Sequence, residues 1–369
     1  MTTPRLEIDL SKIHHNASLL VNLLGRRGIS VSAVTKATMG QPEIAGQLLA
    51  AGVSGLADSR IENIQTILSA AIKAPMMLIR SPMIGQAALV VRSADISLNT
   101  ELDVISELSK AALKMGRTHG VLLMIELGDL REGIMPADLN KVVRRTLGFP
   151  NIVLKGIGTN LACRCGVAPD AANMRELSNL ADEIDVVSGL VLPIVSGGNS
   201  SNLQWVLGSA DTGRINHLRL GDSILLGRDP LNLKPIEGLH TDAFTLVAEV
   251  IESKIKGSQP WGKIARTAFG PAIAPTDRGD ILQAVLALGR MDTDPDGLTP
   301  PSGIEILGSS SDHLIVDSGT KRMSVGTEVA FQLNYSALIQ AMASPFVTKK
   351  CAHSTGERYQ TLEPAGCVA

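Results

Sequence analysis

Three groups in this chain have the types and spacing for chemistry. The apolar run "VSAVTK" (31–36) ends on Lys36. An amine at the end of a buried strand is costly to desolvate, so it either snorkels to solvent or works as a nucleophile beside a bound group. "SGGNSS" (196–201), with Asn199 and Ser200, has the composition of an anion cradle. Its glycines let the backbone approach a phosphate, its N–H groups can point inward and its hydroxyls can donate. In "RLGDS", Arg219 precedes Gly221 and Asp222. An arginine there could donate to a ring nitrogen or simply pair with an acid.

A lysine, a phosphate cradle and an arginine make one constellation if the fold brings them to one rim. It fits pyridoxal 5′-phosphate: the amine to the aldehyde, loop amides to the phosphate, the guanidinium to the pyridine nitrogen.

Eight apolar runs are read as strands, at 31–36, 52–59, 75–82, 94–100, 120–130, 154–162, 192–200 and 217–227. Between them lie segments such as "SRIENIQTILSAAIK" and "ELDVISELSKAALKMG", with apolar residues at three- and four-residue spacing. Ser59 with Glu62, and Thr100 with Asp103, are expected to cap two of these helices. Strand and helix alternating eight times predict a (β/α)8 TIM barrel over residues 1–230. The alternative is an open doubly wound sheet, but no G-x-G-x-x-G follows the first strand. The polar residues collect where a barrel keeps its chemistry, at strand C-terminal ends: Lys36, Arg80, Asn99, Asp129, Arg131, Glu132, Asn160, the 196–201 turn and Arg219.

After residue 230, "DAFTLVAEVIESKI", "GDILQAVLALG", "GIEILGSSSDHLIVD" and "VGTEVAFQL" read as strands without long helices between them. A smaller, mainly β domain is expected over 231–348, then a polar, aperiodic tail (349–369) expected to be poorly ordered.

With a net charge of −2 and 2% aromatic residues, the chain offers neither a basic field nor a stacking surface, so no nucleic-acid or membrane partner is expected. Cys163, Cys165, Cys351 and Cys367 lack zinc spacing, so no metal is expected and free thiols in a reducing cytoplasm are. The N-terminus shows no apolar signal core.

"DSRIENI", "ADISLNTELD", "LGDLREG", "PIVSGGNSS", "LRLGDSILLG" and "ILGSSSDHLIVD" occur in that order between about residue 5 and residue 345. On these motifs the chain resembles fold-type III pyridoxal-phosphate enzymes of the alanine racemase superfamily, and within it the ornithine racemase-like branch. The resemblance implies an amino-acid racemase that takes a basic substrate, ornithine and then lysine or arginine. It also implies a homodimer whose β domain completes the partner's active site. Lys36 matches the lysine that holds the cofactor as a Schiff base and acts as one acid/base. Arg219 matches the arginine at the pyridine nitrogen. Ser200, with the backbone of Gly221 and Asp222, matches the phosphate site. Arg131 matches an arginine near the phenolic oxygen, and Asn160 takes the place of a histidine near the ring.

One departure stands out. Where alanine racemases carry a second base, a tyrosine, the text here is "LALGRMDTD", and the position holds Arg290, which stays protonated at neutral pH. His313 with Asp312, Cys163 and Tyr335 are the candidates for the opposite face; histidine has the pKa for the task, and the Asp312–His313 pair is expected at the site, with its role there left open. Asp292, Asp312 and Glu132 are candidates to meet a distal substrate cation. The alternatives are a decarboxylase or aldolase on the same scaffold, or a pyridoxal-phosphate carrier without turnover.

Overall fold

The computed structural model describes residues 3–209, 211–271 and 276–353. They divide into two compact units, residues 10–241 and residues 3–9 with 242–353.

The first unit is a closed parallel barrel of eight strands: β2 (Ser30–Val34), β3 (Gly55–Asp58), β4 (Met76–Leu78), β5 (Ile96–Asn99), β6 (His119–Ile125), β7 (Ile152–Thr159), β8 (Ile194–Gly198) and β9 (His217–Leu220). Each overlaps one of the eight apolar runs. Closure comes from β2 pairing with β9, in register Ser30 to His217 and Ser32 to Arg219. All seven residues of β6 are buried, as expected of a parallel strand covered on both faces. Leu122 and Met124 join Val34, Ala57, Met77 and Leu98 in a cluster that the consecutive strands β2 to β6 share, which makes it the barrel interior. The alternate residues Val121, Leu123 and Ile125 pack outward with Ile105, Val143 and Leu177 of the surrounding helices.

The helices begin with α1 (Leu10–Gly25), α2 (Pro42–Ala50), α3 (Ile61–Ser69), α4 (Ala87–Ser93), α5 (Leu102–Lys114), α6 (Leu139–Leu147) and α7 (Ala171–Ser188). The short α8 (Leu203–Gly208) and α9 (Asp222–Leu226) follow β8 and β9. A full capping box starts α7: the Asp170 carboxylate accepts from the N–H groups of Ala172 and Asn173, and the Asn173 side chain accepts from the Asp170 N–H. The two caps expected elsewhere do not form. The residue before α3 is Arg60 and the residue before α5 is Glu101, neither with a side-chain cap bond. At α3 it is Asp58, not Ser59, that accepts from the Arg60 N–H and from the Asn63 side chain.

The second unit contains a sheet in the order β14 (Leu298–Thr299), β17 (Glu328–Leu333), β10 (Phe244–Gly257), β13 (Asp280–Leu286), β16 (Leu314–Asp317), β15 (Glu305–Ser309). A small hairpin, β11 (Arg266–Thr267) with β12 (Gly270–Pro271), and α10 (Tyr335–Ala343) complete it. "GIEILGSSSDHLIVD" is thus a hairpin rather than one strand, turning at Ser310–His313. Two further strands were not foreseen. The segment "RLEID" is β1 (Arg5–Asp9), antiparallel to β10. Thr348–Ala352 is β18, parallel to β1, so the expectation of aperiodic chain fails there. The rest of the expected tail, with Cys367, lies outside the described residues. Arg5 explains why β1 holds: its buried guanidinium donates to both carboxylate oxygens of Glu328 at 2.6 and 2.7 Å and to Glu7 at 2.8 Å.

Candidate active site

One residue, Thr35, separates the end of β2 from Lys36, which opens a single 3-10 turn, Lys36–Thr38, at the C-terminal end of the barrel. The turn is tight enough to dictate sequence. Gly40 sits at φ +67°, and a Cβ there would lie 2.6 Å from the Asn63 carbonyl oxygen. Beside the lysine, the Thr35 hydroxyl donates to Asp58 at 2.7 Å, and the same fully buried carboxylate takes the Arg60 N–H at 2.9 Å and Asn63 Nδ2 at 3.0 Å. Burial pushes the Asp58 carboxyl up, and these donors pull it back. Asp58 thus ties the lysine-bearing turn to the start of α3. The signal in the sequence is an acid at the end of a barrel strand, the position that Asn99 holds on β5.

Arg219 is buried on β9. Its Nη2 donates to the Thr159 carbonyl at 2.7 Å and its Nη1 to the Ser196 hydroxyl, so two neutral oxygens on β7 and β8 hold it. Burial lowers its pKa to about 10, still a full cation at neutral pH. The charges that act on it are Arg131, Glu132 and Cys163, which places the loops after β6 and β7 around its head.

Ser200, at the end of β8, meets the start of α9. Its Oγ accepts from Ser223 Oγ at 2.9 Å and lies 3.3 Å from the backbone nitrogens of Gly221 and Ser223. With three donors converging on one oxygen, the hydroxyl's own proton turns away from them. Gly221 packs against β2: a Cβ would lie 3.1 Å from the Val34 Cβ and 3.2 Å from its carbonyl oxygen. Ser223 was not foreseen. Asp222 lies beside it; burial lifts its carboxyl to about 6, with Lys36 pulling it down and Asp229 pushing it up. Lys36 and Asp222 therefore feel each other's charge across the rim.

Asn160 and Asn199 are committed to the loops. Asn199 Nδ2 donates to Asn160 Oδ1 (3.2 Å) and the Leu161 carbonyl (2.9 Å), and its Oδ1 accepts from the Ser201 N–H (2.8 Å) and hydroxyl (2.7 Å). Asn160 Nδ2 reaches Cys163 Sγ at 2.9 Å. Cys163 is exposed rather than part of the core. Its loop is pinned by Asp129, whose buried carboxylate accepts the N–H groups of Cys163, Arg164, Cys165 and Val167 at 2.8 to 3.3 Å. Burial alone would raise the Asp129 carboxyl, and the four donors, Arg164 foremost, outweigh it and hold it below the usual range. Arg131 pairs with Glu132 at the end of β6.

Lys36, Arg131, Asn160, Asn199, Ser200, Arg219, Gly221 and Asp222 thus all lie in the barrel unit, at or near strand C-terminal ends. Asp312 and His313 belong to the other unit, on the exposed β15–β16 turn, where His313 Nδ1 is 3.4 Å from Ser310 Oγ. Asp312 acts on the buried Asp292, whose carboxylate accepts the Gly289 N–H at 2.9 Å. Arg290 stacks on Phe269, 5.3 Å from the ring centroid. Among the described helices none is long and apolar enough to cross a membrane.

A primary amine, a neutral hydrogen-bond cradle and a buried guanidinium suit a small group that carries both an aldehyde and a phosphate. Comparison with known proteins shows the family. The family model for the alanine racemase N-terminal domain matches residues 8–229. An ornithine racemase of Acetoanaerobium sticklandii is 39% identical over 351 residues, covering 94% of this chain and 99% of that protein. A lysine racemase of Thermotoga maritima is 38% identical over 351 residues, covering 95% and 98%. Among solved structures, an alanine racemase from Streptomyces lavendulae superposes with a TM-score of 0.73 at 18% identity, covering 95% of this chain and 98% of that one. A D-threonine aldolase from Filomicrobium marinum gives 0.71 at 16%, covering 92% and 88%. These two likenesses show the fold.

Proposed function

Because the chain belongs to the alanine racemase family, we propose that it is a pyridoxal-phosphate-dependent racemase of a basic amino acid, ornithine first and then lysine or arginine. The observation that carries the reading is the rim itself: Lys36, the Ser200–Gly221–Ser223 donors and the buried Arg219 all stand at the strand ends of one barrel.

Pyridoxal phosphate, when bound, supplies an electron-withdrawing ring that makes an α-proton removable. Ser200, Ser223 and the N–H groups of Gly221 and Ser223 would hold its phosphate, Lys36 its aldehyde carbon and Arg219 its ring nitrogen. Arg131 would stand by its phenolic oxygen. Asn160 and Asn199 would set the loops against the ring. An arginine remains charged and keeps its proton, so it would leave the ring nitrogen unprotonated and weaken the electron sink. That favours quick return of the proton over side reactions. Lys36 Nζ is the base on one face of Cα. His313, assisted by Asp312, is the base for the other, supplied by the β unit of a second copy in a homodimer. Cys163 is the rival within the barrel unit, favoured by its contact with Asn160. A basic substrate needs an acid for its distal cation, and Glu132, Asp292 and Asp312 are the candidates. A reducing cytoplasm suits the exposed thiols Cys163 and Cys165.

The test is proton NMR in D2O with pyridoxal phosphate and, separately, L-ornithine, L-lysine, L-arginine and L-alanine, followed by chiral separation. Loss of the α-proton signal with appearance of the D-isomer is expected for a basic substrate. Carbon dioxide or aldehyde release instead of inversion would replace the racemase reading with a decarboxylase or an aldolase.

A further inference from the structure

Arg219 is held by more than its two direct partners. Ser196 Oγ, which accepts from Arg219 Nη1, also lies 2.8 Å from His217 Nδ1. His217 Nε2 lies 2.9 Å from Ser32 Oγ. All four side chains are buried inside the barrel, on β2, β8 and β9. In β9, His217 and Arg219 are two residues apart and share the inward face.

We propose that His217 is a positioning residue for Arg219, acting through Ser196 by a one-way chain of hydrogen bonds: Arg219 to Ser196, Ser196 to His217, His217 to Ser32. The direction follows from proton counting. A guanidinium only donates, so Ser196 must accept from Arg219 and use its single proton elsewhere. The neighbour placed to receive it is His217 Nδ1. A ring nitrogen that accepts carries no proton, so the imidazole is neutral with its proton on Nε2, which then donates to Ser32. A charged imidazole would present a second donor to Ser196, turn its hydroxyl proton against Arg219 and place two cations together. In agreement, burial first and then the Arg219 charge hold the His217 pKa down to about 3. The guanidinium is thus held by neutral groups, so the partners that fix it do not cancel its charge, as preorganised electrostatics require. The effect on rate rests on the racemase reading; the tautomer does not.

The first arm is 15N NMR of the full chain labelled at its seven histidines, His217 being assigned by its loss in His217→Asn. A bare Nδ1 and a protonated Nε2, unchanged across neutral pH, are expected. An Nδ1-protonated or titrating His217 overturns the proposal. The second arm uses the holoenzyme. His217→Leu, with no acceptor for Ser196, should lower kcat about 100-fold with KM little changed. His217→Asn, whose carboxamide oxygen can accept that proton, should recover most of the loss. Equal losses in Leu and Asn overturn the proposal, since a packing role would not tell acceptor from non-acceptor. If His217→Leu does not fold, Ser196→Ala takes its place: loss of kcat with loss of the fixed tautomer supports the chain, and an unchanged tautomer overturns it. A wild-type protein that interconverts no enantiomers would remove the racemase reading and leave the NMR result standing.

Discussion

Ser223 Oγ donates to Ser200 Oγ at 2.9 Å, joining the turn after β8 to the first residues of α9. The contact gathers four polar groups around one point. Ser200→Ala removes the acceptor and leaves the Ser223 hydroxyl and two N–H groups without it. Loss of about 1–3 kcal/mol of stability is expected without ligand, read by denaturant titration. A phosphate that takes over those donors should recover part of the loss, so added pyridoxal phosphate should raise the melting temperature of the variant more than that of the wild type.

Lys36→Ala should abolish both turnover and the absorbance of the lysine-held cofactor, while circular dichroism stays native because the side chain is exposed. An active Lys36→Ala enzyme would rule out a lysine-held cofactor.

The opposite-face base is open to direct test in D2O. His313→Ala should still wash out the α-proton of one enantiomer without inverting it. If His313→Ala inverts normally while Cys163→Ala exchanges without inversion, the thiol beside Asn160 is the base.

Asp222 sets a pH signature. Its folded pKa of about 6 lies above the unfolded value, so the native state holds its proton more tightly. Stability from this group is therefore full below the unfolded pKa and declines as pH rises toward 6. The rise from an ordinary aspartate value to about 6 corresponds to roughly 3 kcal/mol as an upper bound. Urea denaturation of wild type and Asp222→Asn at acid and neutral pH should show the variant losing less stability on the way up. Parallel curves would mean that Asp222 holds its proton equally in the folded and unfolded states.

Asp129 has the opposite sign. Its depressed pKa contributes stability above the unfolded pKa that is lost as pH falls through the folded one. Asp129→Ala leaves four backbone N–H groups without an acceptor. It should cost about 2–4 kcal/mol at neutral pH and raise hydrogen exchange at Cys163, Arg164, Cys165 and Val167. The cost should shrink in acid.

The sequence alone determined the barrel. Eight buried parallel strands need eight apolar runs, and helices that cover them need apolar stripes, so the pattern is local and readable in residues 31–227. It also determined the chemical rim, because a strand that ends on Lys36, Asn160 or the 196–201 turn puts that residue at the mouth whatever the loops do. Tertiary structure decided the rest. Arg5 and Glu328 lie 323 positions apart, and no local period reveals that "RLEID" and Thr348–Ala352 pair as neighbouring strands. Ser59 and Thr100 had the chemistry to cap helices, but Asp58 already offered a buried carboxylate to the start of α3. Whether His217 touches Ser196, or Asp129 holds the loop bearing Cys163, depends on which residues face inward from different strands and loops. That depends on barrel register and loop path, which no single stretch of sequence encodes.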